Sequence, residues 1–419
     1  MDDNGDRSGT DAARQPVGPD RPALRHLDVQ PARQDGRDGV VLQDPLGISA
    51  HQVFVPNGLL PVLARFDGTR SIGEIEHDLR GEGGTPLPPD LVAGLAQQLD
   101  DLLFLAGPRF DQALTHELET LQGGGARPAR HAGVSAGYPG EPVAARDALS
   151  AMLGPRPPAT RPTPRGLIAP HIDLARGHLG YAAAYGALAE CAPADLYVVF
   201  GTGHQGPSAP VTGLPSDWDT PLGALPTDRE FVAAIHRRLG PAHPVDLLLH
   251  RTEHSLEFQM LFLKHLLGDH PARVAGFLTG HLPHTGRPQT DEPHVGALLA
   301  AFAAEVETVR ASGRSVCFVA GADLAHLGPQ FGDPAPIAGS RLTELSETEH
   351  GRLRHLERGD PNAFHRSVEG DGNPDRVCGT TPIFLTSALA GGSARLLHYG
   401  QANAGDGAVV VSFCSMIFD

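Results

Sequence analysis

Cysteine is scarce in this chain: Cys191, Cys317, Cys378 and Cys414 are scattered through 419 residues, with no C-x-x-C pair among them. That spacing excludes a zinc finger or a dense disulfide framework and fits a reducing, cytoplasmic setting. Aromatic residues are also few, at 5% with a single tryptophan. No apolar run approaches the roughly 18 residues of a membrane span. The opening MDDNGDRSGTDAARQPVGPD lacks the apolar stretch of a signal peptide and reads as a disordered tail over residues 1–22. No stripe of Lys and Arg is present, and the formal charge is -16. Nucleic acid is therefore excluded as an expected partner, because phosphate binding needs a basic surface.

Histidine, by contrast, is abundant, at 22 residues. In a chain this rich in Gly and Pro, a single histidine near a strand end is expected by chance, so each needs a positional argument. The length leaves room for two or three domains. Residues 23–110 read as a small unit of a strand or two followed by short helices. GVVLQDP (39–45) alternates as a strand, and GLLPVLARFDG (58–68) has helical spacing. TRSIGEIEHDLRG (69–81) has Thr69 or Ser71 as its cap, and PPDLVAGLAQQLDDLLFL (88–105) carries a leucine stripe. This order predicts a winged-helix-like α+β module. Residues 111–130 read as a helix followed by the linker GGGARPAR. GVSAG (133–137) matches the nucleophile-elbow pattern G-x-S-x-G, but no strand precedes Ser135, so the motif is discounted.

From residue 166 the pattern becomes α/β. Predicted strands cover 166–172, 196–203, 273–280 and 315–324, with helices over 178–190, 228–239, 254–267 and 293–310 between them. Two more apolar runs, 394–401 and 407–418, close the chain. The alternation predicts a mixed, largely parallel sheet covered by helices on both faces. In such sheets ligands bind beyond the carboxyl ends of the strands. Those ends deliver His171 and Asp173 from APHID, His204 from GTGHQG, and Asp323 and His326 from GADLAH. Three strand ends presenting histidine to one edge point to a site where one would not. The helix that starts in RTEHSLEF adds Glu253, His254 and Glu257, the last two sharing a face at i, i+3. Cys378, in DRVCGTTPIF, precedes a helical run, where the helix dipole favours the thiolate needed for metal binding or nucleophilic attack. The other three cysteines read as small buried hydrophobes.

Taken in order, APHID, GTGHQG, TPLG, EHSLEFQMLFL, GADLAHLG, VCGTTPI and HYG resemble the pattern of the Memo family, AmmeMemoRadiSam system protein B, over residues 131–419. The resemblance implies a fold similar to the class III extradiol dioxygenases, which cleave aromatic rings at a non-haem iron. It implies His171, His204 and Cys378 as metal ligands, with Asp323 and His326 in the same pocket and His326 at the acid/base position. Asp173 stands where the family often has glycine, adding a carboxylate near the site, and Glu253 and His254 shape the pocket wall. Fe(II) is the expected ion, with Cu(I) or Zn as alternatives favoured by a soft thiolate. The N-terminal segment resembles the PqqD-like peptide-recognition domains, through LARFDGTRSIGEI and DDLLFL. A metal-dependent redox enzyme acting on a small molecule or peptide is one expectation. A non-catalytic metal-binding or accessory protein is another, whose partners the family name suggests: a radical-SAM protein and an AMMECR-type protein. A metal-free hydrolase or transferase with Cys378 as nucleophile is the third.

Overall fold

The computed structural model describes residues 18–81, 88–123, 125–155 and 158–419. The expected N-terminal tail lies outside the described residues up to residue 17. The chain divides into two compact units between Glu119 and Thr120.

The first unit carries a three-stranded antiparallel sheet, β1 (Asp28–Gln34), β2 (Arg37–Gln43) and β3 (Gln52–Pro56). Sequence periodicity gave only β2, because β1 is exposed along most of its length and has no apolar face. Its signal lies in the turn instead. Asp35 and Gly36 both have positive φ, 50° and 76°, and close a two-residue hairpin whose last pair is Gln34 with Arg37. The helical run expected over 58–68 is only a 3-10 turn and one short helix, α1 (Leu60–Leu63). Next comes α2 (Ile72–Gly81), and Ser71 rather than Thr69 caps it. Its hydroxyl accepts from Glu74 N (3.4 Å) while the Glu74 carboxylate accepts from Ser71 N (2.7 Å), a reciprocal capping box. The leucine stripe forms α3 (Leu91–Asp101), and Val92, Ala96 and Leu99 bury it against Leu42, Val55 and Phe66. The next helix, α4 (Pro108–Gln122), runs across the division between the units.

Residues 125–130, read as linker from their Gly and Pro content, are built into the second unit. Arg127 is fully buried and its backbone bridges to Trp218. A helix that sequence periodicity missed follows, α5 (Pro142–Leu153). Ser135 lies in an exposed turn with no strand before it, so no nucleophile elbow exists there.

The second unit is a mixed α/β layer structure with a parallel sheet at its centre. Its strands are β4 (Gly166–Ala169), β5 (Leu196–Thr202), β6 (Val211–Gly213), β7 (Arg273–Thr279), β8 (Val316–Gly321), β9 (Asp323–Leu327), β10 (Ala394–Ala404) and β11 (Val409–Phe418). Spatial order is β10-β11-β4-β8-β5-β7-β6, with β9 added on β11. The pairings β4–β8, β8–β5 and β5–β7 are parallel; those of β6, β9, β10 and β11 are antiparallel. The central strands are buried end to end, which is why they read as continuous apolar runs.

On one face, α6 (Leu174–Ala189) and α9 (His254–Leu267) pack against the sheet, with Tyr181 and Tyr185 stacked on Phe262 at 4.7 and 4.6 Å. The sheet also packs against α10 (Pro293–Ala311) and α13 (Thr380–Ala390), burying Phe200, Phe302, Phe318 and Phe384 in one cluster with Phe231 of α7 (Arg229–Leu239). Three polar or short helices escaped prediction: α8 (Pro244–Leu249), α11 (Gly339–Glu357) and α12 (Pro361–Glu369). Among the described residues, no helix is long and apolar enough to cross a membrane.

One close approach sets up what lies beyond the strand ends. A Cβ on Gly321, the last residue of β8, would sit 2.3 Å from the Ser255 carbonyl in the first turn of α9. Only glycine lets that helix end reach the sheet so closely.

Candidate metal centre

The first strand stops at Ala169, and Pro170 turns the chain so that His171 leaves the sheet almost fully buried. Its backbone N–H donates to Asp323 Oδ1 (2.9 Å), and its Nδ1 donates to the Gly321 carbonyl (2.9 Å). That second bond fixes the tautomer and leaves Nε2 with a free lone pair. Two residues beyond β5, His204 repeats the arrangement with a different acceptor. Its Nδ1 lies 3.0 and 3.1 Å from the two Glu253 oxygens, and its backbone N–H donates to the same carboxylate at 3.0 Å. Cys378 arrives from the turn before α13, and its Sγ lies 3.4 Å from His171 Nε2. The ligand atoms of His171, His204 and Cys378 all fall within 4.8 Å of one another.

The electrostatics suit a cation that displaces protons. Burial, with His204 and His254 nearby, holds His171 well below the usual histidine range, so its imidazole is neutral. At His204 burial opposes charge, but Cys378 and Glu253 outweigh it and raise the pKa well above the usual range. Burial pushes the Cys378 thiol up, against the pull of His204. A bound metal ion would take over the role of those protons, because thiolate and neutral imidazole are the ligating forms.

Other predicted residues surround this trio in distinct roles. Rather than completing β8, Asp323 opens a separate strand, β9, which pairs antiparallel with β11 through His326 and Val411. The single strand expected over 315–324 is therefore two, because the chain leaves β8 at Gly321 to bring the Asp323 carboxylate under the His171 backbone. Burial raises Asp323 to about 7, against hydrogen bonds from the His171 and Ile172 backbones. His326 donates from Nδ1 to the Leu324 carbonyl (3.1 Å) and meets Phe331 edge-on at 5.1 Å between centroids. Burial lowers its pKa to about 4, so it too is neutral. His254 stacks on His204 at 5.0 Å with 7° between planes, its Nδ1 3.3 Å from Glu253 Oε1. Glu253 does not line the cleft; it caps α9 by accepting from Ser255 N (3.0 Å) and braces both histidines. Asp173 does line it, but its oxygens are occupied, one accepting from Arg176 N at the start of α6 and one paired with the Arg176 guanidinium.

A cleft of about 500 Å³ opens over these residues, bordered by His171, His204, His254, Asp323, His326 and, opposite, Phe331. Sequence reasoning missed the support behind its rim. Glu257, one turn into α9, accepts from His131 N (2.8 Å) and Tyr138 Oη (2.7 Å) and pairs with the Arg127 guanidinium. Arg127 also donates to the carbonyls of His250 (2.6 Å) and Glu253 (2.7 Å). Glu257 was visible on the His254 face of the helix, whereas Arg127 and Tyr138 sit in irregular segments with no periodic signal.

Comparison with known proteins gives the chain a family. Residues 127–417 match the Memo-like protein family. A MEMO1 family protein of Aquifex aeolicus is 27% identical over 410 residues, an alignment spanning 95% of this chain and all of that protein. A second, from Thermus thermophilus, is 28% identical over 319 residues, 75% of this chain and 88% of the relative. A third, from Methanosarcina barkeri, is 30% identical over 262 residues, 61% of this chain and 86% of the relative. The matched span contains every residue of the histidine–cysteine cluster and of the cleft around it, and with it the chain belongs to the Memo-like protein family.

Proposed function

We propose that this Memo-like chain is a metal-dependent oxidoreductase in which His171, His204 and Cys378 hold Fe(II), acting on a small-molecule or peptide substrate in the adjoining cleft. The observation that carries this reading is the matched pair of outer hydrogen bonds. His171 Nδ1 donates to Gly321 O and His204 Nδ1 to Glu253, leaving two Nε2 lone pairs and one sulfur within 4.8 Å. That is the arrangement a ligand set needs, with its orientation fixed from behind. An ion bound there would supply oxygen-activating redox chemistry, its electron density raised by thiolate donation. The fold kinship with class III extradiol dioxygenases belongs to this reading, with Cys378 in place of their carboxylate ligand.

The protein's own groups divide the remaining work. His326, neutral and turned by the Leu324 carbonyl so that Nδ1 is spent, offers Nε2 to accept a proton from substrate. Asp323 holds the His171 backbone in place and, near neutral pH, adds negative charge beside it. Stacked His254 and the Phe331 edge give the cleft flat walls. The N-terminal unit, PqqD-like in its pattern, would present a peptide or protein partner.

A second reading is a carrier of Cu(I) without turnover, accessory to a radical-SAM protein and an AMMECR-type protein. The soft sulfur donor and the His204 side chain, 36% exposed for exchange, favour it. The metal-free nucleophile reading has less support, since burial raises the Cys378 thiol and so disfavours the thiolate that attack requires.

Elemental analysis after anaerobic purification tests the proposal, comparing the unmodified chain with His171→Ala, His204→Ala and Cys378→Ala. Near-stoichiometric iron, lost in all three variants, together with oxygen uptake in the presence of substrate candidates, is the expected result. Copper retained without oxygen uptake moves the reading to the carrier. A chain that binds none of Fe(II), Cu(I) or Zn removes both.

A further inference from the structure

A second group of metal-type ligands lies apart from the centre, on segments the proposed reaction does not use. The loop after β7 carries His281 and His284 three residues apart, and α12 carries His365 and Glu369 four residues apart, on one helix face. His281 Nε2 is 3.7 Å from Glu369 Oε2, and the His284 and His365 rings are 6.3 Å apart between centroids.

The detail that points to a ligand is an unmet need. His365 is 1% exposed, and its Nε2 donates to the Leu282 carbonyl at 2.8 Å. That bond leaves a lone pair on Nδ1, which is buried and has no hydrogen-bond partner; the same is true of His284 Nδ1. Two orphaned ring nitrogens in one cluster are costly to bury without something between them. Like His171 in the first centre, His365 has one ring nitrogen tied to a backbone carbonyl, Nε2 here and Nδ1 there, which turns the other nitrogen towards its neighbours. Glu369 is buried too, with Oε1 accepting from Asn373 Nδ2 (3.2 Å) and the other oxygen towards His281.

We propose that His281, His284, His365 and Glu369 form a second cation site, for a divalent transition-metal ion with zinc as its natural occupant, tying the β7 loop to α12. Three imidazoles and a carboxylate are a nitrogen–oxygen donor set, harder than the thiolate centre and suited to zinc. Closing around an ion asks the His284 and Glu369 side chains to draw in towards His365 Nδ1 and His281, whose side chain is 64% exposed, to rotate over them. Such an ion would hold the loop that follows β7, the neighbour of the β5 strand from which His204 extends. The proposal stands whether or not the first centre is catalytic.

Cobalt(II) separates the two sites, because thiolate ligation gives a strong sulfur-to-cobalt charge-transfer band and imidazole–carboxylate ligation gives none. The full chain is stripped with chelator, loaded with Co(II), and its bound metal counted per chain. The expected result is two ions per chain, of which Cys378→Ser removes one together with the charge-transfer band. His281→Ala and Glu369→Gln each remove the other ion and leave the band intact. His281 is exposed, so its substitution does not put folding at risk, and Glu369→Gln keeps the shape of the side chain. Uptake of only the thiolate-bound ion would overturn the proposal, leaving an ordered water between the two nitrogens as their partner. A second ion retained in both variants would overturn it as well, as would a chain that takes up no cobalt.

Discussion

His204 and Glu253 form the unit on which the candidate centre turns. The carboxylate accepts from both the ring and the backbone of the histidine, at 3.0 Å each, and from Ser255 N at the start of α9. Glu253→Gln keeps the shape but replaces an anion with an amide, whose single oxygen cannot accept from the His204 ring, its backbone and Ser255 N together, so the hold on the ring weakens. Metal affinity is expected to fall about 10- to 100-fold, read by competition with a chelator of known strength. An unchanged affinity would mean that Glu253 acts only as a helix cap. His326 makes a different prediction, because nothing places it among the ligands. His326→Ala should retain metal and lose about 10²- to 10⁴-fold in turnover once a substrate is in hand. Undiminished turnover with full metal would remove it from proton transfer. His171, His204 and Cys378 could be picked out from the sequence because each follows or precedes an apolar run that had to be a strand or helix. Arg127 could not. A buried arginine in a Gly- and Pro-rich stretch has no periodicity to reveal it, and its partners at His250, Glu253 and Glu257 are 123 to 130 residues away.

Among the elements, α9 does the most to build the site. It brings Glu253 as its cap, His254 as its first residue and Glu257 one turn later, and its first turn lies against the end of β8. Gly321→Ala would drive a methyl to within 2.3 Å of the Ser255 carbonyl, a backbone atom that cannot swing aside. The helix start must then retreat, taking Glu253 with it. A loss of about 1–3 kcal/mol in urea unfolding is expected, together with weakened metal binding. Loss of stability with unchanged metal affinity would show that the helix end and the ligands are independent. The sheet centre was legible because strands buried on both faces read as unbroken apolar runs, whereas β1 and β6 were missed as an exposed strand and a three-residue one. The split of β8 from β9 was illegible for another reason. The apolar run continues through Gly321 and Ala322, and only the tertiary demand for Asp323 beneath His171 breaks it.

For the molecule as a whole, the buried Arg127–Glu257 pair sets an acid limit. Burial alone would raise Glu257, but hydrogen bonds from His131 and Tyr138 and the charge of Arg127 bring it down to about 2 from an unfolded value near 4.5. A depressed carboxylate stabilises the fold fully above its unfolded pKa, and that contribution is lost as pH falls through its folded pKa. Stability should therefore decline between about pH 4.5 and 2, and Glu257→Gln should flatten that limb while lowering stability at neutral pH. Urea titrations across that range give the answer, and an unaltered acid limb in the variant would exclude Glu257 as its source. The same pair is strongly destabilising to break, by about 3–5 kcal/mol, because either partner alone is a buried charge.

The amino-acid sequence by itself determined the class of the larger unit, the positions of its central strands and the family. These follow from local apolar runs and from motifs a few residues long, which survive without knowledge of contacts. It also brought forward each histidine and the cysteine of the cluster, as residues beside element ends. What only the tertiary structure decided is their joint geometry. The convergence of two Nε2 atoms and a sulfur depends on Gly321 O and Glu253 turning the rings, and on Arg127 and Glu257 bracing α9. Those contacts join residues up to 207 positions apart, Cys378 with His171 among them. A periodic pattern records which side of its own element a residue faces; where it meets a distant partner is fixed only when the elements pack.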